Sequence, residues 1–135
     1  MIETFGEKMV PNFVEELDSV KMAQDLKLDL APVMIYGDDV SHIVTEEGIA
    51  NLLLCRNAAE REQAIRGVAG FTPVGLARDH KAVEALRARG IIRRPEDLGI
   101  NPLSATRQLL AAHTIEDLAN WSGGLYHPPA KFRNW

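Results

Sequence analysis

The amino-acid sequence predicts an α/β fold, with strands that lie within residues 33–55 and helices before and after them. Three apolar runs in this stretch are short enough for buried strands, and turns of glycine and acidic residues separate them. The runs cover residues 33–36, 42–45 and 49–55, and the turns cover residues 37–39 and 46–48. Because open α/β sheets bind ligands where strands end in loops, the two turns are the first places to expect chemistry.

Capping residues indicate where the first helices lie. A helix is expected after Pro11, where apolar residues recur at helical spacing, and it should end before Pro32. Asn57 is expected to cap a second helix, with Glu60 as its capping-box partner, and this helix should run to Gly70. The two helices therefore flank the predicted strands.

The second half of the chain alternates helix signals with glycine and proline. Residues 71–76 are expected to be extended or looped, since proline and glycine break helices there. Asp79 is expected to cap a third helix that stops at Gly90, and residues 91–92 to form a short strand. Later helices are expected to start at Asn101 or Ser104 and at Thr114.

Size and composition indicate a single globular domain over residues 1–135. Hydrophobic residues make up 46% of the chain and charged residues 25%, a balance typical of folded rather than disordered proteins. The length allows one ordinary core but not two. Since binding to nucleic acid usually needs a basic surface, a net charge of -4 argues against a nucleic-acid partner.

Cysteine usage and hydropathy indicate a cytoplasmic protein. Cys55 is the only cysteine, so no disulfide can form within the chain and a reducing compartment is expected. No apolar stretch approaches the roughly 18 residues that a membrane span needs, and residues 1–13 lack the apolar core of a secretory signal. We therefore expect no membrane partner.

The turn of residues 46–48 is the first candidate for catalysis. Glu46 and Glu47 place two carboxylates after a strand, and Gly48 would let a substrate approach the backbone closely. Adjacent carboxylates can raise one pKa, and a carboxylate can act as a nucleophile toward a thioester. The alternative is structural, with either glutamate capping the following segment or pairing with an arginine on the surface.

A basic stretch around residue 90 is the second candidate site. Its cationic residues are Arg78, Lys81, Arg87, Arg89, Arg93 and Arg94. Guanidinium groups suit phosphates, so Arg93 and Arg94 are candidates to bind a substrate, a nucleotide-like cofactor or an acidic carrier protein. The alternative, which is the usual role of surface charge runs, is a solvated helix face that pairs with Glu84 and Glu96.

A metal centre is not predicted. Asp38 and Asp39 could bind a divalent cation, but hard cations need several oxygen ligands, so a turn is the better interpretation. The four histidines show no zinc-ligand spacing. The sequence also has no glycine-rich nucleotide motif, no P-loop and no Gly-x-Ser-x-Gly of a serine hydrolase.

Two neighbouring segments resemble the coenzyme A transferases. The sequence VTEEGIA, followed by a helix with Glu60 and Arg61, is similar to the C-terminal part of these enzymes. Longer segments narrow the resemblance to the alpha subunits of malonate decarboxylases. They read PNFVEELD, PVMIYGDDVSHIVTEEGIANLLLC, IRGVAGFTPVG, RRPEDLGI and WSGGLYHPPAKFRNW, and together they extend over essentially the whole chain.

The resemblance implies both a fold and a reaction. The fold would be a partial coenzyme A transferase-like domain, with an open twisted sheet flanked by helices. In the reaction, acetate on an acyl carrier protein thioester is exchanged for malonate, and a partner subunit decarboxylates the malonyl carrier. Transferases of this superfamily use a glutamate that attacks the thioester and forms a mixed anhydride. The carrier would bear a prosthetic group derived from coenzyme A, and no cofactor would bind this chain directly.

The resemblance also implies that the chain is one part of a larger subunit. Family members are several times longer, and their nucleophilic glutamate lies upstream of the VTEEG segment. Glu46 would then be structural or site-lining, and the chain would be inactive alone. The expected partners are the carrier protein, the decarboxylase subunits and the missing N-terminal part of the subunit, or else a second copy of the chain. The alternative function is a noncatalytic module that binds the carrier or completes a split subunit.

Overall fold

The computed structural model describes residues 2–5, 8–30, 33–124 and 126–133. They fall into two compact units along the chain, Met1–Arg94 and Pro95–Trp135. The organisation of residues 1–135 as one domain stays a prediction. Within the described ranges, no helix is both long enough and apolar enough to cross a membrane.

The strands and most of the helices lie in the N-terminal unit. The strands are β1 (Ile2–Phe5), β2 (Lys8–Pro11), β3 (His42–Thr45), β4 (Gly48–Asn51) and β5 (Ile92–Arg93). The helices are α1 (Ser19–Asp25), α2 (Ala58–Val68), α3 (Pro73–Leu76) and α4 (His80–Ala88), with 3-10 turns at Gly37–Asp39 and Leu52–Leu54. The C-terminal unit contains α5 (Pro102–Ala111) and α6 (Ile115–Trp121), with 3-10 turns at Pro95–Leu98 and Ala130–Phe132.

An antiparallel sheet of three strands, in the order β3-β4-β5, carries the core of the N-terminal unit. β3 and β4 form a hairpin in which Thr45 faces Gly48, and β5 pairs with β4 so that Arg93 lies opposite Ile49. The strand predicted at residues 42–45 is confirmed. Because the strands are antiparallel, the ligand rule for parallel α/β sheets does not select a site here. β1 and β2 form a separate antiparallel pair.

Helices α2 and α4 cover the sheet with apolar side chains that their spacing places on one face. Ala64 and Val68 are neighbours one turn apart on α2, and Val83 and Leu86 are neighbours on α4. These residues pack with residues from the sheet region into one buried core. Its members are Ala50, Leu52, Ala64, Val68, Val83, Leu86, Ile91 and Ile92. A sheet covered by helices confirms the predicted α/β fold class.

Side-chain caps confirm several of the predicted helix starts. The Asn57 side chain accepts a hydrogen bond from the backbone N–H of Glu60, and the Asp79 side chain accepts two at the start of α4. Asn101 caps α5 and Thr114 caps α6 in the same way. Each cap acts within about three residues, so the local sequence is sufficient to predict it.

Two predictions about residues 11–36 are wrong. The first helix starts at Ser19 rather than after Pro11, because Pro11 ends β2 and the Asp18 side chain supplies the helix cap. Residues 33–36 form no strand and are exposed, and no strand of the described residues pairs with them. A strand needs a partner for its backbone, and the sequence does not reveal whether one is present.

Two further segments differ from their predicted structure. The loop expected at residues 71–76 contains the short helix α3, because Thr72 caps it and Pro73 has a backbone suited to a first helical turn. The strand expected at residues 49–55 ends at Asn51. The Asn51 side chain accepts a hydrogen bond from the backbone N–H of Leu53 and so starts a 3-10 turn.

Candidate functional site

The first candidate site is the tight turn that joins β3 to β4. Glu46 and Glu47 are the two residues between Thr45 and Gly48, which face each other in the hairpin. Both glutamates are exposed, whereas Gly48 is buried. The turn therefore presents two carboxylates to solvent, and the buried Gly48 fixes the end of the turn that enters β4.

The Thr45 hydroxyl anchors this turn to α2. It donates a hydrogen bond to the carbonyl of Val68 at 2.8 Å and accepts one from the backbone N–H of Glu47 at 3.1 Å. Val68 is the last residue of α2, where helix carbonyls have no partner within the helix. One hydroxyl therefore satisfies the end of the helix and shapes the acidic turn. The sequence contained no signal for this contact, because the two residues are 23 positions apart.

Replacing Thr45 by valine should lower the free energy of unfolding by about 1–2 kcal/mol. Valine has nearly the same shape, but it cannot satisfy the Val68 carbonyl or hold the Glu47 N–H. Urea denaturation measures the change. The control is Thr106→Val, which makes the same replacement at an exposed position of α5. Equal stability of the Thr45→Val variant and the parent chain would show that the hydroxyl has no anchoring role.

Gly48 brings the turn against the last strand. Its φ of +149° lies in a region that favours glycine, and a side chain at this position would overlap the carbonyl oxygen of Arg93. An added Cβ would also lie 3.3 Å from the Cα of Arg94. The structure therefore places the five predicted site residues on two adjacent backbone segments. They are Glu46, Glu47 and Gly48 on one, and Arg93 and Arg94 on the other. Their catalytic and binding roles stay predictions.

Ion pairs engage much of the predicted basic stretch. The Arg94 guanidinium lies 2.8 Å from one carboxylate oxygen of Glu84, and the Arg87 guanidinium lies 3.7 Å from the other. Arg89 contacts Glu60 at 2.5 Å. The predicted pairing of this stretch with Glu84 is confirmed. The Glu84 carboxylate is largely exposed, so its pairs with Arg94 and Arg87 orient side chains more than they stabilise the fold, whereas Glu60 is mostly covered.

The Glu60 carboxylate links α2 to the end of α4. The Arg89 guanidinium donates to it and so lowers its pKa below the ordinary value, and the backbone N–H of Arg56 adds a smaller effect in the same direction. The folded chain therefore holds this carboxylate ionised at a pH where the unfolded chain would protonate it.

The stabilising effect of Glu60 should depend on pH. It is fully present above the ordinary glutamate pKa and is lost as the pH falls through the lowered pKa of the folded chain. The Glu60→Gln variant should therefore melt below the parent chain at pH 7, and the difference should shrink toward about pH 3. Thermal melts across this range measure it. The control is Glu16→Gln at an exposed position, and its effect at pH 7 should be smaller. A Glu60→Gln difference that stays constant with pH would contradict the pairing.

Arg61 holds the predicted turn of residues 37–39, a role that the sequence did not reveal. Its guanidinium, on α2, donates to the carbonyls of Gly37, of Val40 at 2.8 Å and of Leu52 at 3.4 Å. One side chain thus ties the turn before β3 and the end of β4 to the same helix. These partners lie between 9 and 24 positions away in the sequence, beyond the range of any local pattern.

Arg66 makes a second long-range connection from α2. Its guanidinium lies 2.6 Å from Glu15 and 2.8 Å from Glu62, and it also donates to the carbonyl of Val74 at 3.2 Å. The hydrogen bond to Arg66 lowers the pKa of the Glu15 carboxyl, and the two carboxylates raise the pKa of Arg66. The charge of Arg66 is therefore used in joining α2 to the segment before α1.

The predicted turn at Asp38 and Asp39 is confirmed. Both residues lie in the 3-10 turn Gly37–Asp39, and both are exposed. Across the described part of the chain, no three His, Cys, Asp or Glu side chains are grouped closely enough to hold a metal ion. Arg61 supports this turn by donating to the carbonyl of Gly37.

A cleft of about 480 Å³ lies within the C-terminal unit, between α5 and α6. Its lining includes Gln108, Trp121 and Tyr126. The Ser122 hydroxyl at its edge donates to the carbonyl of Ala119 and accepts from the backbone N–H of Tyr126. This hydroxyl is thus engaged within the unit, and the cleft offers mainly aromatic and apolar surface.

Comparison with known families decides where the chain belongs. The family model described as malonate decarboxylase, alpha subunit, transporter matches residues 1–135. The chain belongs to the malonate decarboxylase alpha subunit family. This confirms the family that the VTEEGIA segment and its neighbours predict.

Known members of the alpha subunit family are much longer than this chain. The acetyl-S-ACP:malonate ACP transferase of Malonomonas rubra is 60% identical over 135 residues, which are 100% of this chain and 24% of the transferase. A crystal structure of a Pseudomonas malonate decarboxylase hetero-tetramer in complex with malonate matches with a TM-score of 0.64 and 52% identity, over 100% of this chain and 25% of that chain. The alpha subunit from Acinetobacter baumannii matches with a TM-score of 0.66 and 53% identity, over 97% and 24%. The chain therefore spans about a quarter of the length of these relatives.

Proposed function

We propose that residues 1–135 form a section of an acyl carrier protein transferase, which exchanges acetate on a carrier thioester for malonate. The observation that supports this most strongly is the 60% identity to the Malonomonas rubra transferase, which extends over all 135 residues. A likeness that continues through both compact units applies to the whole section rather than to one motif. The carrier and the decarboxylase subunits are the proposed partners, in the cytoplasm.

The proposed chemistry assigns roles to the two adjacent segments of the candidate site. The exposed carboxylates of Glu46 and Glu47 line the site, and the buried Gly48 keeps their turn close to the last strand. Arg93 is exposed beside this turn and supplies positive charge for a phosphate of the carrier prosthetic group or for acidic residues of the carrier, and Arg94, which pairs with Glu84, adds to the positive charge of the same segment. The prosthetic group belongs to the carrier, and the chain itself binds no cofactor directly.

A second proposal is that the section contributes structure rather than catalysis. Its residues 33–36 expose four large apolar side chains, as expected where a larger subunit is completed. In this proposal the nucleophilic glutamate lies in the remainder of the subunit, and Glu46 only lines the site.

A hybrid protein tests the proposed function. In the hybrid, this chain replaces the matched quarter of the Malonomonas rubra transferase, and mass spectrometry follows the conversion of acetyl carrier to malonyl carrier in the presence of malonate. The hybrid is expected to transfer malonate, whereas the transferase without its matched quarter is not. A hybrid that folds, as circular dichroism shows, but transfers nothing would contradict the proposal.

The isolated chain is the second arm of the experiment. It is expected to form no malonyl carrier, since the remainder of the subunit would supply the nucleophile. Turnover by the chain alone that disappears in the Glu46→Gln variant would instead make Glu46 the nucleophile. The matched control is Glu62→Gln, which removes a carboxylate from α2 away from the acidic turn.

A further inference from the structure

We propose that residues 33–36 are a β-strand whose partner strand lies in the remainder of the subunit, outside the matched quarter. This inference rests on the proposed function, because only a section of a larger subunit has such a remainder. The exposed fractions are 93% for Val33, 74% for Met34, 71% for Ile35 and 84% for Tyr36. Folded proteins rarely leave a contiguous apolar run of this kind uncovered unless it is an interaction site.

The backbone of this segment is also open. Among the described residues, none accepts a hydrogen bond from a backbone N–H of residues 33–36. The Tyr36 carbonyl accepts one from the backbone N–H of Asp39 at 3.0 Å, and the Ser19 hydroxyl lies 3.3 Å from the sulfur of Met34. A row of free N–H groups beside apolar side chains is what an unpaired strand presents to a partner.

The residue types specify how such a strand would be covered. Valine, isoleucine and tyrosine all favour strands. Alternation would place Val33 and Ile35 on one face and Met34 and Tyr36 on the other, so both faces are apolar. Strands with two apolar faces belong in the interior of a sheet that is covered on both sides. The backbone of Tyr36 is already extended, with φ −66° and ψ 138°.

Charge decides between the remainder of the subunit and a second copy of the chain. Three exposed acids flank the segment, Asp29 before it and Asp38 and Asp39 after it. Antiparallel pairing of residues 33–36 in two copies would place Asp29 of each near Asp39 of the other, one position out of direct register, at both ends of the pair, and like charges that come this close are destabilising. A strand with neutral or basic flanks is a better partner. The relatives, of which this chain covers 24% and 25%, have ample length to provide one.

Amide hydrogen exchange tests the pairing directly. Exchange of residues 33–36 should be fast in the isolated chain and at least ~100-fold slower in the hybrid with the Malonomonas rubra transferase. Peptides from α4 serve as the internal control, because their hydrogen bonds are already formed in the chain alone. Equally fast exchange of residues 33–36 in both proteins would overturn the proposal.

A charged variant provides a second test. Ile35→Lys should leave the melting temperature of the isolated chain unchanged, since the side chain is exposed there, and lower that of the hybrid by at least ~5 °C. The matched control is Gln24→Lys, which adds the same charge at an exposed position of α1 and should change neither protein. Lysine at the aligned position of the natural transferase repeats the test without a graft. No shift in either larger protein would overturn the proposal.

The remaining outcomes separate this inference from the proposed function. Protection of residues 33–36 that appears in the isolated chain as its concentration rises would assign the strand to a second copy and overturn the proposal. A hybrid that protects the segment but transfers no malonate supports the strand and contradicts the proposed function. A hybrid that transfers malonate while residues 33–36 exchange fast supports the proposed function and contradicts the strand.

Discussion

Replacing Gly48 by alanine is expected to lower the free energy of unfolding by about 3 kcal/mol, the upper end of the usual cost of a strained backbone. Its φ of +149° is unfavourable for any residue with a Cβ, and the added carbon would overlap the carbonyl oxygen of Arg93. Either the β3–β4 turn or β5 must move to relieve the overlap, and both are held by sheet hydrogen bonds. Urea denaturation of the purified chain measures the loss.

Gly37→Ala is the matched control for this prediction. An added Cβ at Gly37 would meet no atom within 4 Å, and its φ lies outside the positive range. The change should therefore stay within about 0.5 kcal/mol of the parent chain. If the two alanine variants unfold at the same urea concentration, then the close contact between Gly48 and Arg93 does not exist in solution. In the hybrid, the Gly48→Ala change should displace the acidic turn from Arg93. We therefore expect this variant of the hybrid to transfer malonate more slowly.

Ile92→Ala is expected to cost about 2–5 kcal/mol, the range for removing a large aliphatic side chain from a packed core. Ile92 is fully buried on β5 and packs with Val68 of α2 and Val83 of α4 in the same cluster. Gly67 lies so close to it that an added Cβ there would be 2.6 Å from Cδ1 of Ile92. Helix and strand are therefore in tight contact, and little collapse can fill the cavity.

Ile35→Ala makes the same chemical change where the side chain is exposed. In the isolated chain it should alter the free energy of unfolding by less than about 0.5 kcal/mol. Thermal and urea denaturation of both variants separate core packing from residue type. A small loss for Ile92→Ala, similar to that for Ile35→Ala, would contradict the packing of Ile92 in the buried core.

Helix starts were predicted well because they depend on neighbours in the sequence. Asn57, Asp79 and Thr114 each bind a backbone N–H two or three residues later, so residue type and spacing are enough. Thr72 does the same for α3, but the Pro and Gly around it indicated a loop. The prediction there was wrong because a cap followed by proline at the first helical position starts a helix even beside residues that usually break one.

The candidate site, in contrast to the helix starts, depends on contacts between residues that are far apart in the sequence. The sequence singled out Glu46, Glu47 and Gly48 as an acidic turn, and separately Arg93 and Arg94 as a basic stretch. Their proximity depends on β5 pairing with β4, a contact across more than forty residues that no local pattern encodes. The anchoring contacts of Thr45, Arg61 and Arg66 escaped prediction for the same reason.

The sequence by itself determined the family, through the resemblance of its segments to known alpha subunits. It also determined the α/β class, the caps of α2, α4, α5 and α6 and the strand at residues 42–45, because these depend on hydrophobic patterning and on interactions between near neighbours. Only the tertiary structure decided that the sheet is antiparallel and that Gly48 closes against Arg93. It also decided that residues 33–36, apolar as a buried strand should be, lie exposed. Strand order, ion-pair partners and burial are properties of contacts between distant residues. The free energies of such contacts depend on which surfaces meet, and the folded chain alone determines which surfaces meet.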